Sequence, residues 1–324
     1  MLLDIVYLIV GMVLILVGAN ALTDGASAIA RRIGISDLVV GLTVVAFGTS
    51  APELVISMLS AAKGSTGLAI GNVVGSNIFN ILAIVGITAI VSPIVIQRTV
   101  MTREIPMVVI SSLVLLVLGN TVLLDGDGTA MLPRSAGIIL LVFFSIFIWY
   151  TFATAKKAAP AEIDADSSAG SSPMSLWKSL LWVVGGLAML VFGGGRFVAG
   201  ASGIASLLGI SDAIIGLTIA AAGSSLPELA TSIMAARKGR TSMAVGNVIG
   251  SNIFNIFFVL GASATVKPLA FGTIGNVDLL TLTAASLLFL ACGWLIGKRT
   301  ITRAEGVVFA LGYVAYLVYL VINS

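Results

Sequence analysis

Two stretches of this chain, residues 34–81 and 209–256, are copies of each other. They align without a gap at a constant offset of 175 positions, and 29 of the 48 aligned pairs are identical. The identical pairs are not only apolar residues and include the prolines Pro52 and Pro227. An apolar composition therefore does not explain the match. A repeat of this length predicts two structurally equivalent halves.

Apolar runs recur from end to end of the chain. Hydrophobic residues make up 58% of the sequence and charged residues 10%, a balance typical of integral membrane proteins. A helix needs about 20 apolar residues to cross about 30 Å of hydrocarbon, and ten runs reach that length. The predicted spans are residues 2–22, 37–62, 67–92, 105–124, 134–155, 176–199, 212–236, 242–266, 277–297 and 301–321.

The number of spans in each half determines how the halves relate. Each half holds five spans, and because five is odd, the second half enters the membrane in the opposite sense. The sequence therefore predicts an all-α integral membrane protein with two inverted five-helix repeats, an architecture of secondary transporters. The first repeat is residues 1–155, with its motifs at 41–81, and the second is 176–324, with its motifs at 216–256. Residues 156–175 are predicted to be a flexible cytoplasmic linker.

Basic residues predict the orientation, because cytoplasmic loops carry an excess of Lys and Arg. Ten spans put 13 of the 17 basic residues on one side and 4 on the other. We therefore expect a multi-pass protein of the plasma (inner) membrane with both termini outside. The richer side has Arg31, Arg32, Arg98, Arg103, Lys156, Lys157, Lys178, Arg237, Lys238, Arg240, Lys298, Arg299 and Arg303, and the other has Lys63, Arg134, Arg196 and Lys267.

The motifs GTSAPE (48–53) and GSSLPE (223–228) interrupt two apolar runs at matched positions. One interpretation is a capping box, in which the serine and the glutamate three residues later satisfy backbone donors at a helix start. The other is a cation site, because a carboxylate in hydrocarbon costs about 2.5 kcal/mol or more without a partner. Both predict helices broken at mid-membrane, where exposed carbonyls and hydroxyls must face protein or a wet cavity.

A second motif follows in each copy, GNVVGSNIFN (71–80) and GNVIGSNIFN (246–255). Its glycines, spaced Gly-x-x-x-Gly, allow close approach of helix backbones. Ser76 and Asn80 are four residues apart and share a helix face, so their side-chain oxygens are candidate ligands for Na⁺ or Ca²⁺, together with Ser251 and Asn255. Two glutamates suit one Ca²⁺ or two Na⁺, and an ionised site without its cation is costly in low dielectric. This charge balance predicts obligatory exchange.

Three aspartates near the motifs have less specific interpretations. Asp37 and Asp212 precede their spans and are predicted N-caps. Asp24 lies at the end of the first span, its repeat counterpart is Ala199, and the sequence assigns it no role.

These motifs resemble those of the sodium/calcium exchanger family in the Ca²⁺/cation antiporter superfamily, and the likeness in length and helix pattern is to compact prokaryotic members. The resemblance implies ten helices, with spans 2, 3, 7 and 8 binding ions and spans 1 and 6 sliding to alternate access. Ser224 stands where threonine is common, and Asn255 stands where some archaeal exchangers and the potassium-dependent exchangers carry Asp. The expected metal ligands are Ala46, Thr49, Ser50, Glu53, Ser76, Asn80, Ala221, Ser224, Ser225, Glu228, Ser251 and Asn255.

The leading hypothesis is an electrogenic, K⁺-independent antiporter that exchanges Na⁺ for Ca²⁺, by resemblance three Na⁺ per Ca²⁺. The alternatives are H⁺/Ca²⁺ exchange, in which the glutamates take protons, and a passive cation channel. An enzyme is not expected, because the chain has no histidine and one cysteine and no evident catalytic set. We expect a monomer in the lipid bilayer, with no cofactor and no nucleic-acid partner.

Overall fold

The computed structural model describes residues 1–126, 130–162, 174–208, 221–296 and 299–323. Most of these residues are helical, as predicted. The helices are α1 (Leu2–Ile33), α2 (Asp37–Val40), α3 (Ala46–Thr49), α4 (Ala51–Lys63), α5 (Thr66–Ile78), α6 (Val85–Val91), α7 (Ile105–Gly119), α8 (Thr121–Asp125), α9 (Arg134–Glu162), α10 (Leu176–Leu207), α11 (Ala221–Gly223), α12 (Leu226–Arg237), α13 (Thr241–Ile253), α14 (Gly261–Val266), α15 (Asn276–Ala291) and α16 (Arg303–Asn323).

Short π-helical segments join several of these helices, and the sequence did not predict them. A π-helical turn pairs residue i with i+5, widens the helix by one residue per turn and often occurs at functional sites. The described residues contain π1 (Gly41–Val45), π2 (Phe79–Ile84), π3 (Val100–Glu104), π4 (Phe254–Leu260) and π5 (Cys292–Ile296). The first residues of π2 and π4 are separated by the repeat offset of 175 positions.

Eight helices in the described part of the chain are long and apolar enough to cross a membrane, and a bent pair makes a ninth candidate. The predicted span 212–236 begins at residues outside the described ranges, so the count of ten and the inversion of the repeats stay predictions. The eight are Leu2–Ile33, Thr66–Val91, Val100–Gly119, Arg134–Ala155, Leu176–Leu207, Thr241–Val266, Asn276–Trp294 and Arg303–Ile322, and the bent pair is Asp37–Thr49 with Ala51–Lys63.

The chain divides into two units. Unit 1 comprises Met1–Thr49, Ile148–Gly250 and Leu317–Ser324. Within it, α1 and α10 run antiparallel and in contact along their lengths, with glycines at the crossing points. A Cβ on Gly18 would lie 2.8 Å from the carbonyl oxygen of Gly186. Only hydrogen fits between the backbones at such points, which explains why the pair packs so closely.

Unit 2 comprises Ser50–Phe147 and Ser251–Tyr316. In this unit α4 packs against α5, both contact π4, and α7 packs against α15. Four strands of two residues each form two antiparallel pairs, β1 (Ile94–Val95) with β4 (Thr300–Ile301) and β2 (Met131–Leu132) with β3 (Leu269–Ala270). These short strands are an exception to the predicted all-α fold.

Two predicted boundaries differ from the structure. Helix α1 continues eleven residues beyond the predicted end at residue 22, because small and polar residues extend the helix although they add little hydropathy. It ends where Gly34 adopts φ 69°, a left-handed conformation that glycine accepts without strain. The N-cap of α2 is Ser36, whose hydroxyl accepts from the amide of Val39, so the prediction for Asp37 was wrong by one residue. Asp212 lies outside the described residues.

Candidate functional site

Both motif glutamates lie in the first turn of a helix that restarts after a break. Glu53 is in the first turn of α4, in unit 2, and Glu228 is in the first turn of α12, in unit 1. Both side chains are 0% exposed. The first turn of a helix favours a carboxylate, because amide N–H groups there carry partial positive charge. A bound cation would further offset the cost of burying each carboxylate.

The helix break follows from the proline in each motif. Pro52 has no N–H to donate to the preceding turn, and the helix axis bends by 46° between residues 37–49 and 51–63. Ser50, at the break, has φ −85° and ψ 9°, and Ser225 has φ −92° and ψ 7°. Both serines are buried, and neither side chain makes the N-cap hydrogen bond. The capping-box interpretation is therefore wrong, and the predicted break in the first copy is confirmed.

Unit 2 contains a set of buried polar groups on elements that pack together. The hydroxyl of Ser76 donates to Oε1 of Glu53 at 3.4 Å. Asn80, in π2, and Asn255, in π4, are both 0% exposed, and among the described residues neither atom of either amide has a hydrogen-bond partner. The same holds for the hydroxyl of Ser251. Buried amide and hydroxyl oxygens without protein partners fit the coordination of a hard cation.

Unit 1 contains the other half of the predicted ligands. Thr49 is 0% exposed and its hydroxyl lies 3.4 Å from the carbonyl oxygen of Ala46, which is also fully buried. Ser224 lies in the break before α12, next to Ser225. Ala221 begins α11, and its backbone carbonyl is the group predicted to act. Ser50, Glu53, Ser76, Asn80, Ser251 and Asn255 thus lie in unit 2, and Ala46, Thr49, Ala221, Ser224, Ser225 and Glu228 lie in unit 1.

A pair of asparagines that the sequence analysis missed holds the backbone beside each glutamate. Nδ2 of Asn72 donates to the carbonyl oxygen of Glu53 at 3.2 Å and to the hydroxyl of Ser57 at 3.0 Å. Nδ2 of Asn247 donates to the carbonyl oxygen of Glu228 at 3.3 Å and to the hydroxyl of Ser232 at 3.0 Å.

The signal for these asparagines was present in the sequence. Asn72 and Asn247 are repeat counterparts, and so are Ser57 and Ser232. The same hydrogen-bonded arrangement therefore occurs in both copies, although the partners lie 15 residues apart along the chain. The prediction rested on carboxylates and on the pair spaced Ser-x-x-x-Asn, and it therefore missed residues that bind to the backbone.

The chemistry of these groups is that of oxygen ligands for hard cations. In the part of the chain that the structure describes, no three Asp, Glu, Cys or His side chains come together. A cation bound among these residues would therefore take its further ligands from neutral hydroxyl, amide and carbonyl oxygens. Ca²⁺ takes six to eight oxygen ligands of mixed type, and such a set limits the negative charge that must be neutralised in a low-dielectric interior.

Comparison with known proteins identifies the class of protein that carries this fold and these motifs. Residues 3–153 and 178–322 match the family described as sodium/calcium exchanger protein. The chain belongs to that family, and the resemblance inferred from the motifs is confirmed. The family is one of membrane exchangers, not of enzymes.

Individual relatives match over nearly the whole chain. The CaxA protein of Alkalimonas amylolytica is 38% identical over 328 residues, covering 100% of both chains. The sodium/calcium exchanger MaX1 of Methanosarcina acetivorans is 33% identical over 344 residues, covering 97% of each. A solved structure of the sodium-calcium exchanger NCX_Mj, soaked with 2.5 mM Na⁺ and 0.1 mM Ca²⁺, superimposes with a TM-score of 0.82 at 32% identity and covers 98% of both chains.

Proposed function

We propose that this protein is a secondary active antiporter that exchanges Na⁺ for Ca²⁺ across the plasma membrane. The observation that carries the proposal is a fully buried glutamate after a proline-induced break, present in both copies of the repeat. Family membership supports the same activity. A transporter, unlike a channel, must also resist crossing without its cargo, and two buried carboxylates supply that resistance.

The transported cations bind to oxygen atoms from both copies of the motif pair. Glu53 and Glu228 supply charge, and the backbone carbonyls of Ala46 and Ala221 supply neutral ligands. The remaining ligands are hydroxyls and amides, from Thr49, Ser50, Ser76, Asn80, Ser224, Ser225, Ser251 and Asn255. The amides of Asn80 and Asn255, which have no partner among the residues that the structure describes, support this assignment, because a buried amide without a partner is costly unless a ligand binds to it.

Alternating access takes place between two inverted repeats of five helices each, in residues 1–155 and 176–324, joined by the linker at 156–175. The offset repeat, the 13-to-4 distribution of basic residues and the matched π2 and π4 segments support this arrangement, with both termini outside. By family resemblance, the first and sixth spans slide against the others. The continuous glycine contacts between α1 and α10 support movement of those two helices as a pair.

Coupling to Na⁺ is favoured over coupling to H⁺ because hydroxyls and carbonyls suit Na⁺, whereas proton exchange needs only the glutamates. The resemblance implies three Na⁺ per Ca²⁺, a cycle that moves one net charge and is worth about 2.3 kcal/mol per 100 mV. Asn255 in place of an aspartate supports transport that does not need K⁺. The chain is expected to act as a monomer without a cofactor.

The test is Ca²⁺ uptake into proteoliposomes that contain the purified protein, with Na⁺ inside and K⁺ omitted. We expect uptake of ⁴⁵Ca²⁺ that requires internal Na⁺, is electrogenic, and is abolished by Glu53→Gln. Glu305→Gln is the matched control, because the Glu305 carboxylate binds to the amide and hydroxyl of Thr302 at the start of α16. Its uptake should equal that of the wild type.

Each alternative has its own outcome in this assay. Uptake that ignores Na⁺ and appears only under a pH gradient would reassign the protein as an H⁺/Ca²⁺ exchanger. Flux far above carrier rates, with no dependence on ions on the opposite side, would indicate a passive cation channel.

A further inference from the structure

The asparagines that bind to the backbone of the two glutamates have a role that the ligand set does not include. We propose that Asn72 and Asn247 are positioning residues that fix the first turn of α4 and of α12, and so set the size selectivity of the cation site. The proposal rests on the proposed function, because it concerns how the same glutamates are held.

The contacts connect successive helices of each motif pair. Asn72 lies on α5, and its amide reaches the carbonyl oxygen of Glu53 on α4. The hydroxyl of Ser57, one turn further along α4, accepts from the same amide and donates to the carbonyl oxygen of Ala69 at 3.2 Å. The restarted helix is thus tied to its neighbour at the glutamate itself.

The second copy has the same connection and one more. Besides Glu228 and Ser232, the Asn247 amide donates to the hydroxyl of Thr231 at 3.1 Å. Its carbonyl oxygen, Oδ1, lies 3.3 Å from the hydroxyl of Thr49, which donates to it. Asn247 is 1% exposed, so these bonds are shielded from bulk solvent. It therefore orients both a glutamate backbone and a hydroxyl that is a proposed ligand.

The position of the backbone matters because a helix interrupted by proline has lost a hydrogen bond at that point. A bond from a neighbouring helix restores rigidity to the first turn, where the carboxylate is attached. Residues that orient ligands without touching the ion alter metal affinity about 10- to 100-fold when they are removed. A cation site whose ligands are held less firmly also discriminates less between cations of different size, since ion selectivity depends on cavity size and ligand flexibility.

The experiment measures Ca²⁺ and Sr²⁺ binding to the full-length protein in detergent, by the increase in Tm and by ⁴⁵Ca²⁺ competition. For Asn72→Ala and Asn247→Ala we expect Ca²⁺ affinity to fall about 10- to 100-fold. The affinity for the larger Sr²⁺ should fall less, so the Ca²⁺-to-Sr²⁺ affinity ratio decreases. Ser57→Ala and Ser232→Ala remove a support of each amide and should shift the ratio in the same direction by a smaller factor.

Asn120→Ala is the control. It also removes an asparagine whose amide donates to a helix carbonyl, that of Leu116 at 2.8 Å, but Asn120 lies at the end of α7 and outside the proposed ligand set. A purely structural defect lowers the Tm without ions and leaves the Ca²⁺-to-Sr²⁺ ratio of the folded protein unchanged, as expected for this control.

Two outcomes separate the inference from the function on which it rests. If the wild-type protein binds Ca²⁺ but Asn72→Ala and Asn247→Ala keep its Ca²⁺-to-Sr²⁺ ratio, the positioning role is refuted and the antiporter stands. If the wild type binds neither ion and takes up no Ca²⁺, both are refuted. Should an asparagine variant fail to fold, the two serine variants decide the question.

Discussion

Asp24 is the acceptor in a cluster of charges that the repeat does not duplicate. Its Oδ1 lies 2.8 Å from Nζ of Lys238 and 3.1 Å from a guanidinium nitrogen of Arg240. The same two cations donate to the backbone carbonyls of Asn20 and Thr23 in α1. We predict that Asp24→Asn destabilises the protein, because two partly buried cations lose their shared carboxylate.

The magnitude follows from the distances and the exposure. At about 3 Å and an effective dielectric constant of about 20, each pair gains roughly 5 kcal/mol of Coulomb energy, most of it offset by desolvation. The side chains of Lys238, Arg240 and Asp24 are 23%, 19% and 28% exposed. The net value should therefore lie between about 0.2–1 kcal/mol for exposed pairs and about 3–5 kcal/mol for breaking buried ones. We expect about 1–3 kcal/mol.

The pKa of Lys238 gives the pH dependence. Burial lowers this pKa, and Asp24 partly opposes the shift, so Asp24→Asn lowers it further. A lysine whose pKa is lower in the folded protein than in the unfolded chain favours folding above its ordinary pKa, and that advantage is lost as pH falls. The destabilisation by Asp24→Asn should accordingly be complete at neutral pH and shrink as pH rises toward the ordinary pKa of lysine.

The assay is thermal unfolding in detergent, followed by intrinsic fluorescence. A loss of 1–3 kcal/mol corresponds to a Tm decrease of roughly 1–5 °C for a chain of 324 residues, since the entropy of unfolding is about 2.1 cal/mol/K per residue. Asp4→Asn is the matched control on the same helix, since Asp4 pairs with the N-terminal amine, which is 82% exposed. The reasoning is refuted if Asp24→Asn melts at the same temperature as Asp4→Asn, or if its Tm deficit is the same at pH 7 and near the ordinary pKa of lysine.

Two further variants test packing and charge. Gly186→Val should lower the yield of monodisperse protein and reduce the free energy of unfolding by about 1–3 kcal/mol, because a Cβ there meets the backbone of Leu22 at 2.7 Å. Gly185→Val should have neither effect, because no described atom lies within 4 Å of a Cβ at that position. Size-exclusion chromatography compares the two variants. Asn255→Asp adds a carboxylate at a fully buried position. Ca²⁺ uptake by this variant should become more sensitive to low pH and should respond to K⁺. Uptake measured with and without K⁺ at two pH values checks both expectations.

Sequence patterns that depend on neighbouring residues predicted the fold well. Apolar runs located most of the spanning helices, and Pro52 located the helix break, because hydropathy and a missing N–H act locally. Helix ends were less accurate: residues 23–33 extend α1 although their hydropathy is low. The π2 and π4 segments had no sequence signal that we recognise, since a π-helical turn depends on packing around it and not on composition.

The candidate site was predicted only in part, because local sequence shows the ligand residues but not the contacts between residues far apart in the chain. Residues with a charge or a ligand oxygen, such as Glu53 and Asn80, are conspicuous in an apolar stretch. Asn72 is equally polar, but its partners are a backbone carbonyl and a hydroxyl 15 to 19 residues away. Only the folded chain shows that its amide donates to the glutamate backbone.

A comparison of the two repeats identifies the residues that they share, but not the residues that differ between them. The proposed ligands occur in both copies, so in the proposed inverted arrangement they would on their own present similar chemistry to either side of the membrane. The Asp24 cluster occurs in one copy, because the counterparts of Asp24 and Arg240 are Ala199 and Ser65. Any difference in ion affinity between the two faces must come from such unmatched residues, since identical halves related by inversion have none. Asp24→Asn should therefore change the ratio of the apparent Ca²⁺ KM values measured from the two sides, and an unchanged ratio would place the sidedness elsewhere.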